Sequence, residues 1–171
     1  MSDTERELRD HESGLKVLRI RRRYPATPDD VWDAIVDPDR IRRWFAPVSG
    51  DLREGGRFSV EGNASGSIVR CVPPRELVLT WEFGGNSTDV VLRLLPEGEA
   101  TVLELEHSPV SPDIVTNVGE TWGLGAGWEL GMTGLGMHLA GDPMDPPPDM
   151  AELVRMANEI SDAWAAVIAS R

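Results

Sequence analysis

The sequence predicts one α+β domain in which a curved antiparallel sheet of about six or seven strands wraps a long C-terminal helix, with two short helices after strand one. Three observations carry this. Between Arg57 and His107, strand-length segments alternate with turn-rich separators, as in a meander. Two helix-start signals follow Tyr24 in quick succession. From Gly119 to Ala140 runs GETWGLGAGWELGMTGLGMHLA, in which Trp128, Met132, Leu135 and Leu139 share one stripe of a helix.

Taken in order, residues 1–13 are mostly polar and are expected to be poorly ordered, with the folded domain spanning 14–141. The first strand is expected from Leu15 to Tyr24. Its alternation places Val17, Arg19, Arg21 and Arg23 on one face and Leu18, Ile20 and Arg22 on the other, so the arginines make a solvated face rather than a binding patch. Thr27 then supplies an N-cap, Pro28 a first helical residue, and Asp29 and Asp30 suit the positive end of the helix dipole. Val31, Trp32 and Ile35 give that helix a buried face. Asp37 and Pro38 repeat the capping pattern for a second helix carrying Ile41, Trp44 and Phe45.

After Pro47 the expected strands are Arg57–Glu61, Ser65–Val72, Glu76–Phe83, Asp89–Leu95 and Thr101–His107, separated by turns such as Glu54-Gly55-Gly56 and Gly84-Gly85-Asn86. In the last of them Thr101, Leu103, Leu105 and His107 face inward, and Glu104 and Glu106 outward. The long helix follows. Gly123, Gly125, Gly127, Gly131, Gly134 and Gly136 each weaken it by roughly 1 kcal/mol relative to alanine, so packing has to hold it. Either these glycines let the sheet come close, or their missing side chains leave room for a ligand. Prolines then impose a linker over 142–149, and 150–171 forms an amphipathic helix with Leu153, Met156, Ile160, Trp164 and Val167 or Ile168 on one stripe. That helix either packs back on the domain or offers a homodimer contact.

With 171 residues, 40% hydrophobic and 27% charged, the chain can bury a sizeable core. A formal charge of −12 argues against nucleic acid or an anionic membrane as partner. No apolar run approaches the roughly 20 residues that span a bilayer, so no membrane insertion is expected. The N-terminus has no apolar secretion signal, and a cytoplasmic location is the default. The single cysteine, Cys71, excludes an internal disulfide and has no activating base nearby in sequence. His11, His107 and His138 are too scattered for a metal site, and no cofactor is implied; His138, near the end of the long helix, suits the dipole as a cation.

Five segments in order, VWDAIVDPDRIRRWFAP, DLREGGRF, GSIVRCVPPRELVLTW, LELEHSPV and GWELGMTGLGMHLAG, resemble the START-like (SRPBCC, helix-grip) superfamily. Within it they resemble the branch of homologues of the activator of heat-shock protein 90 ATPase. The resemblance runs from about Leu15 to Gly141, and it implies a helix-grip fold with a deep apolar cavity between sheet and helix. Members bind lipids, polyketides or other hydrophobic molecules, and some catalyse cyclisation or dehydration. The branch has no invariant catalytic set to carry over.

Among individual residues, His107 on an inward strand face is a candidate proton donor or acceptor, and Glu120 and Glu129 on the glycine-rich segment are candidate acids. Six tryptophans against one tyrosine are the stronger clue. Trp44, Phe45, Trp81, His107, Trp122, Trp128 and Met132 are expected to line a pocket for an apolar or amphipathic molecule, with His107 or an indole orienting its polar end. Two other functions fit the same chain: a cyclase or dehydratase using His107 with Glu120 or Glu129, and a protein that contacts a chaperone, as the branch name implies.

Overall fold

Alternating apolar and charged residues assemble eight strands into one antiparallel sheet in the computed structural model, which describes residues 4–141 and 148–170. An N-terminal pair, β1 (Thr4–Asp10) and β2 (Lys16–Tyr24), precedes the helices α1 (Pro28–Val36) and α2 (Pro38–Trp44). The meander follows as β3 (Val48–Gly50), β4 (Arg57–Val60), β5 (Ser65–Val72), β6 (Glu76–Phe83), β7 (Asn86–Glu97) and β8 (Ala100–Val110). Then come α3 (Leu124–Leu139) and α4 (Met150–Ala169). The strand order is β1-β2-β8-β7-β6-β5-β4-β3, so β8 closes the meander against the N-terminal pair.

The capping chemistry behaves as the sequence dictates. Thr27 accepts a hydrogen bond from the Asp30 amide, and Asp37 accepts from that of Asp39, so each short helix begins on its own side-chain cap. Leu103, Leu105 and His107 point inward from β8 and are buried. Glu104 points outward and is nevertheless only 5% exposed, because Arg21 and Arg93 cover it. The outer face is in fact a lattice of ion pairs in which Arg19 meets Glu7, Arg23 meets Glu97, and Arg93 bridges Glu76, Glu104 and Glu106. The outward arginines of β2 are therefore spent within the sheet, while Arg22 on the other face reaches Thr4 and Thr133.

Four expectations are corrected. The sheet has eight strands rather than six or seven, the extra ones being β1 and β3. Residues 4–10, expected to be poorly ordered, form an edge strand: Leu8 is buried opposite Leu18, and Arg6 and Arg9 find carboxylates on α3 and β8. Polar composition hid that strand, because its anchors are ion pairs and main-chain bonds. The long helix begins at Leu124 rather than near Gly119, since Asn117 Oδ1 accepts from the Gly123 amide and Val118 pairs with Thr121 in a turn. His138 is no cation: its Nε2 accepts from Arg40, and burial with Arg40 and Arg43 close by lowers its pKa. Most of the 142–149 linker lies outside the described residues.

The glycines of α3 divide into two kinds. A methyl on Gly125 would sit 2.3 Å from the Trp164 indole, and one on Gly134 would sit 2.7 Å from the Trp44 carbonyl oxygen, so these two exist for close approach. Gly127 faces nothing within 4 Å. Gly131 has only ring edges near it, Phe45 at 3.4 Å being closest. Tyr24 adds a polar rivet by donating to the Met132 carbonyl at 2.8 Å.

The far side of α3 carries Glu129, fully buried. Its carboxylate accepts two hydrogen bonds from the Arg6 guanidinium, both 2.7 Å, and one from the Trp164 indole at 2.6 Å. The edge strand and the last helix are thus both tied to one carboxylate. Asn117 adds bonds to Ser161 and Ala157 of α4, and the buried stripe of that helix centres on Ala157, Ser161 and Trp164.

Gly127→Ala is expected to stabilise the protein by about 1 kcal/mol in urea unfolding, while Gly134→Ala destabilises it by about 1–3 kcal/mol. Glu129→Leu strands Arg6 and the Trp164 N–H, and is expected to cost about 3 kcal/mol. Hydrogen exchange should then accelerate first in β1 and α4; uniform acceleration across the sheet would contradict the clamp.

Candidate functional site

The inner sheet face is apolar because every second residue of β4 to β8 points the same way, and α1, α2 and α3 close over it. The closure is incomplete. A cavity of about 160 Å³ remains, walled by strand residues such as Phe58, Ile68, Leu79 and Leu105, by Trp44 and Phe45 at the end of α2, and by Trp128, Gly131 and Met132 of α3. Among the described residues that line it, Arg53 is the one that carries a charge.

Aromatic contacts fix the shape of the wall. Phe45 stacks on Trp128 with ring centroids 6.4 Å apart and planes 12° from parallel; Trp128 meets Trp81 at 4.9 Å, and Trp81 meets Phe58 at 6.0 Å. Trp44 is held by its indole N–H, which donates to the Ala34 carbonyl at 2.9 Å. Gly131 lines the cavity without a side chain, and a methyl there would meet only the ring edges of Phe45 and Trp44 at 3.4–4.0 Å.

His107 stands behind this wall, 2% exposed, edge-on to Trp81 and Trp128. The Trp128 indole can only donate, so His107 Nδ1, 3.0 Å away, is the acceptor and the ring proton resides on Nε2. That proton is donated to Thr88 Oγ1 at 2.6 Å, and the Thr88 hydroxyl donates to the Trp81 carbonyl. Both nitrogens are committed. Burial pushes the imidazole pKa down to about 4, so the ring is neutral at physiological pH.

Of the expected pocket residues, Trp44, Phe45, Trp81, Trp128 and Met132 lie on the cavity wall. His107 supports that wall from behind. Trp122 does not belong to it: it precedes α3 in the Val118–Thr121 turn region and is 37% exposed. The acid candidates do not join His107 either. Glu120 is exposed in the turn, and Glu129 is consumed by Arg6 and Trp164 on the far side of α3. Cys71, half-buried on β5, also lines the cavity, and burial together with Glu54 raises its thiol pKa, which favours the unreactive protonated form. Among the described residues no group of three His, Cys, Asp or Glu side chains could hold a metal, and no helix is long and apolar enough to cross a membrane.

Sequence reasoning missed Phe58 and Arg53 as wall residues, and it did not single out Gly131 among the glycines that could leave room for a ligand. Strand alternation could have found Phe58, and the helical stripe places Gly131 beside Trp128 and Met132. Arg53 had no signal, because a loop has no periodicity to read.

The family model for Activator of Hsp90 ATPase homolog 1-like protein matches residues 25–139. The crystal structure of CalU16 from Micromonospora echinospora is 43% identical over 96% of this chain and 98% of that one, with a TM-score of 0.81. DynU16, a protein in the dynemicin biosynthetic locus, is 26% identical over 74% of this chain and 48% of its own, with a TM-score of 0.61. PFC0360w, an HSP90 activator from Plasmodium falciparum, is 22% identical over 63% of this chain and 82% of its own at a TM-score of 0.52, a likeness of fold alone. No curated protein matches the chain.

The protonation state of His107 sets a pH dependence. Between about 4 and its ordinary 6.5 the unfolded chain binds a proton that the folded one does not. Stability from this group is therefore complete above about 6.5 and falls away as the pH approaches 4, by about 3 kcal/mol. Urea midpoints measured across that range should fall in the parent protein and follow a shallower slope in His107→Gln. Equal slopes would place the acid sensitivity elsewhere.

Proposed function

The chain belongs to the family of Activator of Hsp90 ATPase homolog 1-like proteins, and from that premise and the shape of its cavity we propose that it binds a hydrophobic or amphipathic small molecule between the sheet and α3. The observation that carries this is a cavity of about 160 Å³ whose wall is apolar or aromatic almost throughout. Removing ligand surface from water would drive binding at about 25 cal/mol per Å² of apolar area.

The wall's own polar groups leave few handles for orienting a ligand. His107 is spent on Trp128 and Thr88, and the Trp44 and Trp128 indoles already donate. Among the described residues the Trp81 N–H donates to no protein group, which leaves it as the indole able to meet a ligand acceptor. The place of DynU16 in the dynemicin biosynthetic locus supports a small organic molecule as the kind of ligand. A cyclase or dehydratase mechanism loses support, since its acid and base do not share the cavity. Chaperone contact rests on the family description alone.

N-phenyl-1-naphthylamine, a neutral probe that fluoresces in apolar surroundings, should bind saturably and be displaced by other apolar molecules. Gly131→Leu places a side chain on the helix wall of the cavity, and should weaken that binding at least tenfold while the circular dichroism spectrum is unchanged. Absence of binding in the parent protein, with native mass spectrometry showing no bound passenger, would defeat the proposal.

A further inference from the structure

Among the described residues that line the cavity one carries a charge, and the loop that presents it is built. Arg53 lies in the loop between β3 and β4, with its side chain 79% exposed while lining the cavity, so it marks where the cavity meets solvent. The loop is pinned to β5. The Gly55 amide donates to the Ile68 carbonyl, the Ile68 amide donates to Gly56, and Glu54 Oε1 accepts from the Cys71 amide. A methyl on Gly56 would fall 1.9 Å from the Asp51 carbonyl oxygen, so the turn that presents Arg53 tolerates only glycine there.

Arg53 is also only partly occupied. Its Nε donates to Asp51 at 3.0 Å, an exposed pair of the kind worth little in water. The Nη1 and Nη2 groups donate to nothing among the described residues. A guanidinium fork offered at the rim of an apolar chamber suits a carboxylate or sulfonate, which it can hold through two parallel bonds. Neither titratable neighbour offers such an anion a positive charge: Cys71 stays a thiol, and His107 is neutral and sealed behind Trp128.

We propose that Arg53 makes the cavity selective for an amphipathic anion, with a flat apolar body among Trp44, Trp81 and Trp128 and an acidic group held at the mouth by the Arg53 guanidinium. This rests on the small-molecule reading above and specifies the ligand class. It assigns Arg53 a binding role that needs neither the acid candidates nor the histidine. The strongly negative protein as a whole makes the point sharper, because the ligand's anion must be recognised locally against a net charge of −12.

The test compares 1-anilinonaphthalene-8-sulfonate with N-phenyl-1-naphthylamine, two probes with the same aromatic body, of which only the first bears an anion. Arg53→Gln should weaken the sulfonate probe about fivefold and leave the neutral probe unchanged, and Arg53→Lys should recover part of the loss. Raising salt should weaken only the sulfonate probe in the parent protein. If Arg53→Gln affects neither probe, or both equally, the anion assignment is overturned while the cavity reading stands. A sulfonate signal that Gly131→Leu leaves intact lies on the surface and overturns it too. If the neutral probe also fails to bind, the cavity reading falls with it.

Discussion

One buried carboxylate holds the chain's two ends to its central helix. Removing Glu129 from water is costly, and the cost is met because three donors, two from Arg6 and one from Trp164, converge on its two oxygens. Neither donor belongs to the stretch that matches the family, residues 25–139. The appended edge strand and last helix are therefore integrated into the domain by a group the core itself supplies. Trp128 and Glu129 are neighbours in sequence and a helical step apart in direction, so α3 turns an aromatic toward the sheet and a charge toward α4. This also explains why α3 is apolar on more than one side: it is an interior helix, with sheet on one flank and helix on the other.

Inside the cavity the protein consumes its own polarity. The indole of Trp128 and the imidazole of His107 satisfy each other, Thr88 closes the chain onto a main-chain carbonyl, and Trp44 finds the Ala34 carbonyl. Each of these groups would otherwise present a donor or acceptor to whatever occupies the cavity. Locking them behind or within the wall makes the lining apolar and rigid together, which favours shape over hydrogen bonding as the basis of fit.

The sheet-and-helix architecture was legible because its signals are local: alternation in β5 to β8, Thr27 and Asp37 at helix starts, and the stripe from Trp128 to Leu139. What was not legible depends on distant partners. The strand at Thr4–Asp10 looked like a polar tail because two of its anchors, Glu106 for Arg9 and Glu129 for Arg6, lie 97 and 123 residues away. Glu129 itself looked like a candidate acid for the same reason; only its neighbours Arg6 and Trp164 reveal a structural charge. Trp122 shows the converse error, a large aromatic placed on the expected helix that instead sits in a turn ahead of it. The aromatic wall was largely foreseen, since tryptophans on inward faces have few other places to go, whereas the fate of each polar group needed its partner to be seen.

The strand order has a consequence for how the molecule is made. Leu18 pairs with His107 across about half the length of the chain, and β8, the last strand in sequence, lies inside the sheet between β2 and β7. A nascent chain that has emerged only through β7 has the meander in hand but no path from it to the N-terminal pair. Loop closure over such a separation is slow compared with hairpin formation. The arrival of β8 is thus the event that joins the two-stranded and five-stranded parts of the sheet and completes the inner surface that α3 covers. The cavity is a late product of synthesis, closed only once β8 has joined the two parts of the sheet and α3 has followed to cover them.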